Sequence, residues 1–206
     1  MNGVPIIATI LDALNAAGIS SITIVRGYCG AAFDALHAAY PHLAYIDNPD
    51  WETANNISSI ALAGREGLLE DSYVIEGDLF LANPAIITPT QERTNYIAFP
   101  VEATDDWCFD SDAAGKITHI DTESDHPCHQ MLGLSYWTAE DGRRLAECAN
   151  ELYREERYRQ LYWDEIALKY YLPEFSVHIR ECTREDVWEI DTVEELRALE
   201  ERIKSV

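Results

Sequence analysis

An open α/β fold, a mostly parallel, mixed sheet with helices on both faces, is predicted by three features of this sequence. Helix-like and strand-like patterns alternate from Ile7 to Ile75, the arrangement that builds parallel strands with crossover helices. Tyr73-Val74-Ile75 is an unbroken apolar run between polar residues, which suits a strand buried on both faces. That run ends on Glu76-Gly77-Asp78, and ligands of open α/β sheets bind at the carboxyl ends of the strands.

The elements follow in order. Pro5 opens a helix on which Ile7, Ile10, Leu11 and Leu14 recur at helical spacing until Gly18. Ile22 to Val25 is a strand, with Arg26-Gly27-Tyr28 the turn at its end; Ala31 to Ala39 is a helix and Leu43 to Ile46 a strand. A polar loop from Asn48 to Asn56 leads into a helix over Ile57 to Ala63, and Ser72 to Ile75 is the next strand. Beyond Asn83-Pro84 the pattern predicts strands at Tyr96 to Val101, Lys116 to Ile120 and Gly133 to Trp137, with an acidic loop over Asp105 to Asp110. Thr138-Ala139-Glu140-Asp141 and Thr192-Val193-Glu194-Glu195 are capping boxes that launch helices. Between them, Tyr162-Trp163-Asp164-Glu165 starts a helix, and Val177 to Ile179 and Val187 to Ile190 are strands. No repeat or linker divides the chain, so residues 1–206 are expected to form one domain.

Composition narrows the function. Fifteen Lys and Arg against 37 Asp and Glu give a formal net charge of −22, which disfavours nucleic acid and anionic membrane as partners. There is no membrane-length apolar run and no signal-peptide pattern, which predicts a cytoplasmic protein. Its five scattered cysteines read as reduced thiols.

Several constellations carry chemistry. Gly77 lets a phosphate or metal approach the backbone, and Asp78 supplies the hard oxygen that Mg²⁺ prefers. Asp191, between a strand and a helix, is either a helix cap or a second carboxylate on the same metal. Asn55 and Asn56 enter a helix; their carboxamides either read a base or ribose, or cap the helix. Trp107, Tyr136, Trp137, Tyr162 and Trp163, with Asp106, Asp110 and Asp164 beside them, are either core aromatics or the walls of a cage for an ammonium group. His126-Pro127-Cys128-His129 holds three potential metal ligands, but no partner pair at finger or ribbon spacing occurs elsewhere. G-x-S-x-G, Walker A and G-x-G-x-x-G motifs are absent from the sequence.

Together these pieces resemble the nucleotidyltransferase family, and within it the bacterial phosphocholine and 2-aminoethylphosphonate cytidylyltransferases. The resemblance runs through Val4-Pro5-Ile6-Ile7, Asp12-Ala13-Leu14 to Ala17-Gly18-Ile19, Ile24 to Tyr28, Asn55-Asn56-Ile57-Ser58-Ser59 and Tyr73 to Asp78. It continues through Gly133 to Trp137, Leu161-Tyr162-Trp163-Asp164 and Trp188-Glu189-Ile190-Asp191-Thr192. It implies a Rossmann-like, nucleotide-diphospho-sugar transferase type of fold, and transfer of a cytidylyl group from CTP to a phosphorylated or phosphonylated amino-alcohol. By position, Asp78 and Asp191 would hold Mg²⁺ as the catalytic pair, Asn55, Asn56, Ser59 and Gly77 would lie near the nucleotide, and Trp107, Tyr162 and Asp164 would face the cationic acceptor.

The family pattern begins with a strand and a glycine-rich loop bearing an arginine, followed by a lysine; these bind the triphosphate. This sequence starts at Met1-Asn2-Gly3, downstream of that loop, with Val4 at the lysine position. The expectation is therefore a sheet with its opening strand missing and open backbone edges. The alternatives are a non-catalytic domain that keeps the acceptor pocket and a sugar-1-phosphate nucleotidyltransferase.

Overall fold

The computed structural model describes residues 4–204; Met1-Asn2-Gly3, on which the expectation of a missing loop falls, lie outside the described residues. Helix α1 spans Ile7–Ala16, with Pro5 just before it and Gly18 beyond its end at φ +78°. Strand β1 (Ile22–Arg26) pairs in parallel with β2 (Leu43–Asp47). The intervening segment is a 3₁₀ helix over Gly30–Ala38 rather than an α-helix. Only Leu36 of that segment is buried, so no apolar face of helical period drives it to the wider form.

Helix α2 (Ile57–Arg65) leads to β3 (Ser72–Ile75) and the short β4 (Leu79–Leu81). The central sheet then forms from β5 (Asn95–Val101), β6 (Cys108–Ser111), β7 (Ile117–Asp121), β8 (Cys128–Trp137) and β9 (His178–Glu181), in the order β7-β6-β8-β5-β9, with β3 also paired to β8. Helix α3 (Ala139–Tyr153), a π-helical turn (Ile166–Tyr170), β10 (Val187–Glu189) and α4 (Val193–Lys204) complete the described chain. The sheet is mixed. β5 and β9 run parallel, whereas β8 is antiparallel to β3, β5 and β6.

Side-chain alternation along β5 and β8 defines the two faces. Tyr96, Ala98, Met131 and Trp137 pack with α2 and α3, while Ile97, Phe99, Leu132 and Leu134 pack with α1. The α2–α3 layer fits closely because residues at the contacts are small. A Cβ on Gly142 would lie 1.8 Å from the Leu69 carbonyl oxygen, and one on Gly64 2.8 Å from the Ala146 Cβ.

Three expectations need correction. β3 is half-buried along its length rather than buried on both faces; among the described residues it pairs only with β8, as β1 pairs only with β2, so each keeps an open edge. The segment over Asp105 to Asp110 is not all loop, because Cys108–Ser111 forms a hairpin with β7 whose turn is closed by the Asp112 carboxylate, accepting from the Ala114 and Lys116 N–H groups. The helix expected from Tyr162 is of another type, with helical residues at Asp164 and Glu165 that run on as a π-helix over Ile166–Tyr170.

Candidate active site

The site arises from the way one edge of β8 is shared. β5 occupies the other edge, and on this one β3 covers the carboxyl half of β8 while β6 covers the amino half. Where β3 ends, the Glu76 N–H donates to the Gly133 carbonyl (2.8 Å); where β6 approaches, the Met131 N–H donates to the Trp107 carbonyl (2.8 Å). The carboxyl end of β3 and the amino end of β6 therefore meet over Met131 to Gly133. Gly133 is the residue this meeting requires, because a Cβ there would stand 2.2 Å from a Glu76 carboxylate oxygen.

β10 enters alongside. It pairs antiparallel to β4, and the Ile190 N–H donates to the Asp78 carbonyl (3.2 Å). Glu76 and Asp78, at i and i+2, thus come against Glu189 and Asp191, which have the same spacing. One carboxylate oxygen each from Glu76, Asp78 and Glu189 lies within 4.8 Å of the others. Burial first, then the mutual repulsion of these acids with Asp191, Asp164 and Asp106, pushes Glu76 up to about 7 and Glu189 up to about 8. Asp78 is raised as well, by burial and by Asp191, against the effect of a backbone hydrogen bond. A hydrogen bond from the Trp163 side chain acts on Glu76 in the opposite sense. No arginine or lysine figures among the groups that set these charges.

The aromatic residues predicted for the acceptor divide between wall and core. Trp107 and the exposed Tyr162 meet edge to face at 5.4 Å. Asp106 holds the Trp107 loop in place: its carboxylate accepts from the Trp107 N–H (2.7 Å) and from the Gln130 side chain (2.9 Å). Trp163, Trp137 and Tyr136 are buried, the first two against Tyr96. Asp164 is buried behind the wall, 4 % exposed, where it accepts a 2.5 Å hydrogen bond from the Tyr96 hydroxyl; burial pushes its carboxyl up to about 7.

The candidate nucleotide residues are tied into the same structure. Asn56 takes the N-cap position of α2, but its side chain makes no cap bond, and its Oδ1 accepts instead from the Trp163 N–H (2.8 Å). Asn55 donates to the Gln160 carbonyl (3.3 Å), and the Ser59 hydroxyl accepts from the buried Asn48 (3.1 Å). Asn55 and Asn56 thus brace the segment that carries Tyr162 and Asp164. Around Gly77 the space is open, since a Cβ there would meet nothing within 4 Å.

Asp191 is set apart from the tight triad but contributes to its field, and its N–H and that of Thr192 are bound by the Glu195 carboxylate (2.9 Å each). It is Thr192 Oγ1 that accepts from the Glu195 N–H, so the α4 capping box leaves the Asp191 carboxylate out of the cap. His126, Cys128 and His129 do not converge. His126 pairs with Asp110 and Asp125, His129 with Glu181, and Cys128 is buried beside Cys108. Sequence reasoning gave no site role to Glu189, Tyr96 or Gly133. A signal for Glu189 was present: two acids at i, i+2 on a strand end share one face, and that pattern occurs at both Glu76/Asp78 and Glu189/Asp191.

No protein-family model matches the chain. A 2-aminoethylphosphonate cytidylyltransferase of Lancefieldella rimae is 34% identical over 203 residues, covering 97% of this chain and 81% of that protein. A choline-phosphate cytidylyltransferase of Streptococcus pneumoniae is 27% identical over 205 residues, covering 100% of this chain and 87% of that one. The solved structure of a CTP:phosphocholine cytidylyltransferase from Streptococcus pneumoniae superposes with a TM-score of 0.88 at 26% identity, over 98% of this chain and 87% of that one. An inositol-1-phosphate CTP transferase from T. maritima, at a TM-score of 0.73 and 13% identity over 100% of this chain and 84% of that one, shares the fold. Among the described residues, no helix is long and apolar enough to cross a membrane.

Proposed function

The chain belongs to the nucleotidyltransferase family, in its cytidylyltransferase branch, and from that premise we propose that it transfers the cytidylyl group of CTP to a phosphorylated or phosphonylated amino-alcohol, releasing pyrophosphate, in a reducing cytoplasm. The observation that carries this reading is the convergence of Glu76, Asp78 and Glu189, with Asp191 and Asp164 nearby and, among the described residues, no side-chain cation acting on their charges, beside the Trp107–Tyr162 edge. Such a concentration of carboxylates is relieved by protons or by bound cations, and the proposed reactants bring two cations of different kinds, a divalent metal and an ammonium group.

The acids divide between them by position. Asp78 and Asp191 are exposed at the mouth and fit Mg²⁺, which when bound would neutralise the phosphates of both reactants so that they can approach. Glu189, next to Asp106 in the field, and Glu76, next to Asp164, line the inner side with Trp107 and Tyr162, and there hold the ammonium head by charge and by the aromatic faces. Held by its head, the acceptor turns its phosphoryl oxygen toward the α-phosphorus of CTP. That oxygen forms the new P–O bond while the bond to the β-phosphate oxygen breaks. The residues contribute positioning and charge balance, the terms that dominate phosphoryl-group transfer. In this reading Asn55, Asn56, Ser59 and the open space over Gly77 form the nucleotide side, and the two amides also fix the loop that presents Tyr162.

A second reading is a non-catalytic domain that binds the acceptor alone; the observation favouring it is that, among the described residues, no arginine or lysine figures in the charges of these carboxylates to meet a triphosphate. Pyrophosphate release from CTP and Mg²⁺, with phosphocholine, 2-aminoethylphosphonate or a sugar 1-phosphate as acceptor, separates the readings. Release with an amino-alcohol acceptor supports the transferase, release only with the sugar supports a sugar nucleotidyltransferase, and acceptor binding without release supports the binder.

A further inference from the structure

At the other end of the sheet lies a second polar cleft, of about 350 Å³, lined by Thr90, Gln91, Arg93, Asn95, His178 and Arg180 among others. β3 and β5 are both antiparallel to β8 and so point the same way. Asn95 begins β5 on the same rung of β8 as Tyr73, at the amino end of β3, whereas the acid cluster follows the carboxyl end of β3. The cleft is thus separated from the candidate active site by the length of the strands.

Its charge is the reverse of the rest of the molecule. In a chain of formal net charge −22, Arg93, His178 and Arg180 face one cleft, Lys116 bridges to His178 through the backbone, and Glu92 is the only acid in the lining. Register explains the convergence, since His178 and Arg180 are two apart on β9, and Asn95 lies opposite His178. Two buried polar atoms there have no partner: Arg180 Nη1, a donor, and Asn95 Oδ1, an acceptor. Asn95 is only 3 % exposed, and its Nδ2 is already used on the Gln91 side chain (3.2 Å) and the Arg93 carbonyl (2.8 Å), which fixes the amide with Oδ1 free. The other Arg180 nitrogen, Nη2, is held by the Ile86 carbonyl. Buried polar atoms are rarely left unpaired, and an unpaired donor and an unpaired acceptor from residues that line one cleft define what would fill it.

We propose that this cleft is a second ligand site, for a phosphate-type oxyanion that carries one hydroxyl. An unprotonated oxygen of the anion accepts from Arg180 Nη1, with Arg93 supplying further positive charge and His178 a ring nitrogen for a further hydrogen bond, and the P–OH group donates to Asn95 Oδ1. Arginine suits phosphate oxygens in this way. The acceptor role of Asn95 makes the site selective. Sulfate has similar shape and charge but no proton to give at neutral pH, so it would leave Asn95 Oδ1 unpaired, and a site built around a hydrogen bond rejects an analogue that cannot make it.

The test is a titration of inorganic phosphate into the full chain with EDTA present, which removes metal-dependent anion binding at the acid cluster, read by calorimetry and ³¹P NMR. The expected result is saturable binding of one phosphate, weaker by about tenfold or more for sulfate. Arg180→Gln abolishes it, and Arg93→Ala, at an exposed residue whose side chain makes no hydrogen bond or ion pair among the described residues, weakens it by about threefold or more with the fold unchanged by circular dichroism. Absence of saturable binding would mean that a water fills the gap and would overturn the proposal. Equal affinity for sulfate and phosphate would remove Asn95 from it, and binding unchanged by Arg93→Ala would place the anion elsewhere; either result overturns the assignment.

Discussion

The hydroxyl of Tyr96, on the central strand β5, donates a 2.5 Å hydrogen bond to the carboxylate of Asp164, and both residues are buried. This bond joins the core to the acceptor side of the candidate site, because Asp164 follows Trp163, which stacks on Tyr96 at 5.8 Å, and Tyr162, which meets Trp107. The hydrogen bond holds the Asp164 carboxyl lower than burial alone would set it. Tyr96→Phe should therefore raise the Asp164 pKa further and cost about 1–3 kcal/mol of stability when Asp164 is ionised, since a buried acceptor loses its donor. The loss should be larger at pH 8 than at pH 5, where the proton itself satisfies the carboxyl. Denaturant unfolding of both proteins at the two pH values measures it, and an equal loss at both would show that Asp164 does not titrate in this range.

Gly133→Ala tests the shared edge of β8. Its Cβ would stand 2.2 Å from a Glu76 carboxylate oxygen, so the Glu76 side chain must swing away while the backbone pairing of β3 and β8 stays. A displacement of about 1 Å in a positioning group costs on the order of 100-fold in rate. The expected outcome is a loss of that size in kcat/KM with a melting temperature close to that of the parent protein. Full activity would mean that Glu76 plays no part in positioning.

Much of this architecture could be read from the chain, and what could not shares one cause. Thr138 and Thr192 both accept from the N–H three residues on, as local patterns predict. The strand ending at Glu76-Gly77-Asp78 also lies where its apolar run places it. Local pattern says nothing of partners distant in sequence. That β3 and β6 divide one edge of β8, that β10 brings Glu189 to Asp78, and that Asn56 bonds Trp163 instead of capping its own helix are all long-range pairings. The same limit hid β6, whose Asp110 and Ser111 break the apolar alternation and whose place is fixed by pairing with β7 and β8.

Trp107→Ala separates the two substrates. The indole packs on Tyr162 and sits next to Asp106, which acts on Glu189, whereas the nucleotide side of the proposed site lies across the cluster. Loss of a cation–π wall is worth about 1–2 kcal/mol at a desolvated site, or about tenfold in affinity. KM for the amino-alcohol acceptor should rise by about that factor while KM for CTP stays within about twofold. Equal increases for both substrates would assign Trp107 a structural role.

Asp78→Ala and Asp191→Ala should each abolish Mg²⁺-dependent nucleotide binding while leaving the circular dichroism spectrum intact, because both side chains are exposed and neither packs in the core. Glu189→Gln, by contrast, should leave metal-dependent CTP binding in place and weaken the acceptor by about tenfold, the loss of one partly buried charge opposite an ammonium group. Calorimetry with CTP, with and without Mg²⁺, distinguishes them; unchanged metal dependence in both aspartate variants would reject the shared-metal assignment.

The acid cluster also fixes how stability depends on pH. Glu76 and Asp164 are raised to about 7 and Glu189 to about 8 in the folded protein, each with burial as the first cause. Between the ordinary carboxylate range near 4 and pH 8, the folded chain therefore holds protons that the unfolded chain has released, so stability falls as pH rises through this window. Carboxylates held low, those of Glu70, Asp121, Asp186 and Glu195, act in the other direction, but only at acid pH below their ordinary values. In EDTA the melting temperature should thus drop by a few degrees, on the order of 5 °C, from pH 5.5 to pH 8. Glu189→Gln should flatten the slope by removing one of the titrating groups. Millimolar Mg²⁺ should raise the melting temperature at pH 8, where the cluster is ionised, and do little at pH 5.5, where protons already occupy it. A slope unchanged by Glu189→Gln would trace the pH dependence to the overall negative charge instead of to this cluster.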